Sequence, residues 1–140
     1  KKACLSLLFV SRTTVVATAA GNGSNSSAAF DWTPVMDAII QVESGGNPRA
    51  VSGSSVGAMQ ITPVLVKQCN IILKGRKSDK RFTMNDRYDV DKSKEMFLLI
   101  QSYYNKANDV EKAIRTWNGG PNYSIKGTNG YLRKVMRHLK

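Results

Sequence analysis

The stretch Val42-Glu43-Ser44-Gly45-Gly46-Asn47-Pro48 closes an apolar, helix-like run and stops it with two glycines. A helix ending there leaves Glu43 in its last turn, where unpaired carbonyls and the negative end of the macrodipole disfavour an anion. A carboxylate in that place costs stability, and the cost points to chemistry. Upstream, Thr33 suits the cap, Pro34 the first helical position and Asp37 the first turn. Val35, Met36, Ile39 and Ile40 then recur at helical spacing. The bland alternative is an exposed glutamate at a helix end.

The same pattern repeats along the chain. Thr62-Pro63 opens a second helix through Val64, Leu65, Cys69 and Ile72. Asp91 suits the cap of a third, whose Met96, Phe97, Leu99, Ile100, Tyr103 and Tyr104 make a broad apolar face. Asn108 with Glu111 resembles a capping box for a fourth, in which Val110, Ala113, Ile114 and Trp117 fall at i, i+3, i+4 and i+7. Thr128 suits the start of a fifth, with Tyr131, Val135, Met136 and Leu139 on one side. Leu73 to Tyr88 is polar and basic and reads as an irregular surface excursion. No long alternating run demands a sheet, so the expected fold is mainly α with little or no sheet.

The chain has 140 residues, enough for one domain with one core. Lys1 and Lys2 precede the apolar run Ala3 to Val10, and small residues surround Ala17-Thr18-Ala19-Ala20, so residues 1–20 read as a secretory signal peptide. Arg12 interrupts that pattern; a disordered tail or a short membrane anchor is the competing reading. The run is too short to span a bilayer, which takes about 20 apolar residues, so no stable membrane insertion is expected once the signal is removed. Residues 21–29 are Gly, Asn, Ser and Ala, a linker composition, and the folded domain is expected over 30–140.

Charge and cysteine use restrict the function. The formal charge is +11; Lys1, Lys2 and Arg12 contribute three of it, leaving +8 on the rest. That field suits polyanions: nucleic acid, an anionic membrane, or the acidic peptides and polymers of a bacterial wall. None of the signatures of a nucleic-acid module is present, so no nucleic-acid partner is expected. With Cys4 in the leader, the domain keeps one cysteine, Cys69, and one histidine, His138. No disulfide and no zinc site of His and Cys ligands can be assembled, and no metal or cofactor is expected. Cys69 reads as a small buried hydrophobe.

Three ordered blocks carry a resemblance: Glu43-Ser44-Gly45-Gly46-Asn47-Pro48; Ala50-Val51-Ser52 leading to Gly57-Ala58-Met59-Gln60; and Ala113 to Pro121 ending in Trp117-Asn118-Gly119-Gly120-Pro121, followed by Tyr131. From about Asp31 to Val135 the sequence resembles the catalytic domain of soluble lytic transglycosylases, relatives of goose-type lysozyme. The resemblance implies a lysozyme-like helical domain with a groove for glycan. It makes Glu43 the catalytic acid and base, and Ser52, Gln60, Trp117, Asn118 and Tyr131 substrate-binding residues. Trp117 stands where that family more often has tyrosine, Ala58 where it has leucine, and Gly127 where some members carry an acid. Trp117 and Tyr131 also fit a plain core role, and Asn118 to Pro121 a plain helix end.

The resemblance further implies a monomer acting on peptidoglycan glycan strands, with a larger cell-envelope complex as a further partner. It would be exported to the periplasm or envelope of a bacterium, or be phage-encoded. Ordinary glycosidases need two carboxylates; here one sits in a motif. The implied solution is that Glu43 protonates the glycosidic oxygen, then deprotonates the sugar's own 6-hydroxyl, which closes a 1,6-anhydro ring. Two alternatives stay open: hydrolysis with Asp86, Asp89 or Asp91 as second carboxylate, and a non-catalytic wall-binding component of a secretion or conjugation apparatus.

Overall fold

In the computed structural model, which describes residues 28–139, the chain runs α1 (Thr33–Ser44), β1 (Val51–Ser52), β2 (Ser55–Val56), α2 (Pro63–Gly75), a 3-10 turn (Met84–Tyr88), α3 (Val90–Tyr104), α4 (Val110–Gly119) and α5 (Ile125–Met136). The fold is mainly α, as the sequence implies. Among the described residues its sheet is one antiparallel hairpin, Val51 opposite Val56 and Ser52 opposite Ser55. The expected signal peptide, and the expected linker up to residue 27, lie outside the described residues.

The apolar stripes assemble one core. Ile39 of α1, Met59 of the loop before α2, Met96 and Phe97 of α3, Ile114 of α4 and Val135 of α5 are fully buried within it. Each side chain of this size contributes roughly 1.5–3 kcal/mol on burial. α5 packs against α4 and α1, and α2 against α3. Trp32 closes the N-terminal side, its ring 4.6 Å from Phe30 and 5.6 Å from Phe97. Not every apolar residue of the stripes is inside: Val64, Tyr103, Tyr104 and Met136 are exposed.

Several helix starts differ from the sequence reading. Thr33 is the first residue of α1 rather than its cap, and its N–H donates to the Asp31 carboxylate at 2.9 Å, which holds that carboxyl below its usual range. α3 is capped by Asp89, which accepts from Lys92 N–H at 2.9 Å, while Asp91 lies exposed in the first turn. Asp109, not Asn108, caps α4, because Asn108 is left-handed with φ 53°. Ser124 starts α5, and Thr128 is a buried residue one turn inside it. The Thr62 cap of α2 stands, accepting from Leu65 N–H.

The expected irregular excursion from Leu73 to Tyr88 is shorter than its composition suggests. α2 continues to Gly75, and a 3-10 turn occupies Met84–Tyr88. Between them Phe82 is buried, clamped by Asn70, which donates Nδ2 to its carbonyl and accepts its N–H.

Candidate active site

Glu43 follows Ile39 by four residues and Ile40 by three, so it continues the buried stripe of α1 into the last turn. Tyr131 follows buried Thr128 by three residues and precedes buried Val135 by four, on the stripe of α5. Because α1 and α5 pack together, the stripes meet: the Tyr131 hydroxyl donates to Glu43 Oε1 at 2.8 Å. Gly45 ends α1 in the left-handed conformation at φ 60°, returning its N–H to the Gln41 carbonyl at 3.1 Å.

The chain then folds back onto this helix end. Ser44 Oγ donates to the Ala58 carbonyl at 2.8 Å, tying α1 to the Gly57-Ala58-Met59-Gln60 loop. Gly57 has φ 82°, and a Cβ on it would lie 1.8 Å from the Arg87 carbonyl oxygen, so the loop and the 3-10 turn meet through a gap only glycine leaves. Gln60, also left-handed at φ 52°, donates Nε2 to the carbonyls of Gly57 (2.9 Å) and Ala50 (3.2 Å). Trp117 packs on Phe97 at 5.2 Å between centroids and donates its indole N–H to the Met59 carbonyl at 3.2 Å. Thus α4 is pinned to the same loop that is bonded to the end of α1.

Burial raises the Glu43 carboxyl above its ordinary value, and the Tyr131 hydrogen bond pulls partly the other way. The helix terminus acts in the same sense as burial. Burial and the neighbouring Glu43 charge push the Tyr131 phenol up, so it remains a donor. The chain has ten acids, and the other nine have different employment. Asp31, Asp89 and Asp109 accept from backbone N–H groups at helix starts, and Asp86 accepts from Thr83 N–H. Asp37 pairs with Lys94, Glu95 with Lys80 and Glu111 with Arg115. Asp79 and Asp91 are exposed. Glu43 alone combines partial burial with a raised carboxyl. Burial pushes the Cys69 thiol up to about 12, which makes it inert at neutral pH. No cluster of potential metal ligands occurs among the described residues.

The residues singled out in the sequence fall into three places. Glu43 and Tyr131 are in direct contact. Trp117 and Asn118 border an open cavity of about 490 Å³ between α2, α3 and the end of α4. Gln60 has its side-chain N–H groups engaged by the Gly57 and Ala50 carbonyls, and Ser52 is exposed on β1. One supporting residue was not read from the sequence: Arg115, 5 % exposed, donates Nη1 to Ile125 O at 2.9 Å and Thr128 Oγ1 at 2.8 Å, which holds the start of α5 on α4. The signal for it was an arginine beside Ile114 on the inner face of α4, four residues after Glu111.

The sequence matches the transglycosylase SLT domain family over residues 23–136. A transglycosylase of Enterobacteria phage PRD1 is 28 % identical over 120 residues, covering 81 % of this chain and 40 % of the phage protein. The chain therefore spans less than half the length of that relative. No solved structure matches it. With the motif blocks, the helical fold and the family match coinciding over the same residues, the chain belongs to the transglycosylase SLT domain family.

Proposed function

We propose that this chain is a peptidoglycan lytic transglycosylase that cleaves the β-1,4 bond between N-acetylmuramic acid and N-acetylglucosamine, with Glu43 as sole acid and base. One observation carries the reading: of ten acids, Glu43 is the one held half-buried with a raised carboxyl and, among the described residues, a single side-chain partner, Tyr131. A raised carboxyl keeps its proton toward neutral pH, as a general acid must. Tyr131 occupies Oε1, so Oε2 is the oxygen that would carry the proton to the glycosidic oxygen. The bond from that oxygen to the anomeric carbon breaks. The resulting carboxylate then takes the proton of the same sugar's 6-hydroxyl, whose oxygen bonds to the anomeric carbon and closes the 1,6-anhydro ring. Attack from within the substrate gains effective molarity, which compensates for the lack of a second carboxylate. Gln60, Trp117, Asn118 and Ser52 would line the glycan path.

The employment of Asp86 and Asp89 as caps supports this route over hydrolysis through a second carboxylate. The test is digestion of purified peptidoglycan by wild type and Glu43→Gln, read by mass spectrometry. Wild type is expected to release ends lighter by one water than hydrolytic ends, and the variant to lose roughly 100-fold or more in rate. Reducing ends throughout would exclude the anhydro route. Equal cleavage by the variant would remove Glu43 from the chemistry. We place the protein's work at a bacterial cell envelope, in keeping with that substrate.

A further inference from the structure

The outer face of α5 carries two parallel rows of opposite character. Lys126, Arg133 and Arg137 recur at i, i+7 and i+11, opposite buried Thr128 and Val135, and all three are exposed. One residue earlier in each case, Ile125, Leu132 and Met136 make a second row beside the first. Ile125 is 58 % and Met136 48 % exposed, while Leu132 packs partly on the core. Lys134 flanks the cationic row on its other side and is exposed too. At about 1.5 Å per residue the rows run for roughly 16 Å.

The cations have no employment within the fold. Lys126, Arg133, Lys134 and Arg137 enter none of the ion pairs among the described residues, and no acid follows Glu111 in the sequence. On the helices that α5 packs against, Asp37 pairs with Lys94, Glu43 accepts from Tyr131 and Glu111 holds Arg115. Arg133, Lys134 and Arg137 complement the negative end of the helix, but Lys126 lies in the first turn and opposes the positive end. Helix stability therefore does not account for the row. A cationic row suits phosphates, and the apolar row beside it narrows the source. A soluble polyanion would leave Ile125 and Met136 in water, whereas a bilayer surface takes apolar side chains at its acyl boundary and cations at its headgroups.

We infer that the outer face of α5 docks on an anionic lipid bilayer, with Lys126, Arg133, Lys134 and Arg137 on headgroup phosphates and Ile125 and Met136 at the acyl boundary. The protein lies on the bilayer and does not cross it, since no described helix is long and apolar enough. Tyr131 is on the inner side of α5, so docking leaves Glu43 clear. The test is sedimentation with phosphatidylcholine vesicles, with and without about 30 % phosphatidylglycerol. Wild type should sediment with the anionic vesicles at low salt and stay in solution with the neutral ones. Lys126→Gln, Arg133→Gln and Arg137→Gln together should weaken partitioning roughly 100-fold, about 5-fold for each cation. Ile125→Ser with Met136→Ser keeps the charge and should weaken it roughly 10-fold. Wild type that ignores anionic vesicles, or either variant partitioning like wild type, would overturn the proposal. So would wild type binding soluble polyphosphate more tightly than vesicles at equal accessible phosphate, which would assign the face to a soluble polyanion. The wild-type comparisons decide even if a variant folds poorly, and none of these readouts depends on glycan cleavage.

Discussion

Ionising Glu43 opposes folding, and the sign follows from its burial. The folded carboxyl sits above its ordinary value, so between the two values the native chain binds more protons than the unfolded one, and stability falls as pH rises through that window. The amide that Glu43→Gln introduces would still accept the Tyr131 hydroxyl but could not ionise. That variant is expected to unfold at a higher temperature than wild type at pH 7, with the gap closing below about pH 4; a variant less stable than wild type at pH 7 would contradict the burial argument. Tyr131→Phe works in the opposite direction on the proton. The hydrogen bond to Glu43 lowers the carboxyl, so its removal raises it further, and the alkaline limb of the pH–rate profile for glycan cleavage should move to higher pH. The rate at the optimum should fall on the order of 10-fold, the loss expected when one hydrogen bond no longer holds the carboxylate. An unmoved alkaline limb would mean that Glu43 is not the group that limits it.

At the scale of elements, the site depends on the loop between β2 and α2 more than on any one helix. Gly57 lets that loop touch the 3-10 turn, Ala58 receives Ser44 and Met59 receives Trp117. Gly57→Ala combines a strained φ with an impossible 1.8 Å approach to the Arg87 carbonyl, and should cost roughly 2–4 kcal/mol in urea unfolding. A loss under ~0.5 kcal/mol would show that the loop and turn separate freely. The helices themselves were legible, because stripes such as Val35, Met36, Ile39 and Ile40 have no other use. The pairing of Glu43 with Tyr131 was half legible: each lies on a stripe, but nothing in the order of residues tells which stripes face each other. Helix starts were blurred because capping residues come in clusters. Asp89 and Asp91, or Asn108 and Asp109, offer the same chemistry one or two residues apart, and the path of the chain chooses. Thr128 looked like a cap because its partner Arg115 is 13 residues away. Gln60 bonds backbone carbonyls on both sides of the hairpin, Ala50 and Gly57, and a polar residue after a motif gives no hint of that.

At the scale of the whole molecule, the described residues carry an excess of positive charge, 17 Lys and Arg against ten acids. Part of it is structural: Arg87 donates to the Met84, Ser54 and Ile61 carbonyls, Arg115 is buried beneath α5, and Lys80 and Lys94 are paired with acids. Lys74 and Lys77 differ, since both are exposed and enter none of the ion pairs among the described residues. Exposed charges of this kind contribute little to stability, but they act together on a distant polyanion. A wall bearing anionic polymers would therefore hold this protein by a field that salt weakens, with a screening length of about 10 Å at 0.1 M. Lys74→Glu combined with Lys77→Glu reverses both charges while leaving Glu43 and Tyr131 untouched. Retention of the double variant on intact wall at low salt should drop severalfold below wild type, and the difference should vanish near ~0.5 M salt, where screening shortens to a few ångströms. Cleavage of short, soluble glycan should stay unchanged, since that substrate needs the site and not the field. Equal retention at low salt would show that the segment from Lys74 onward keeps the protein in solution and does not hold it to its substrate.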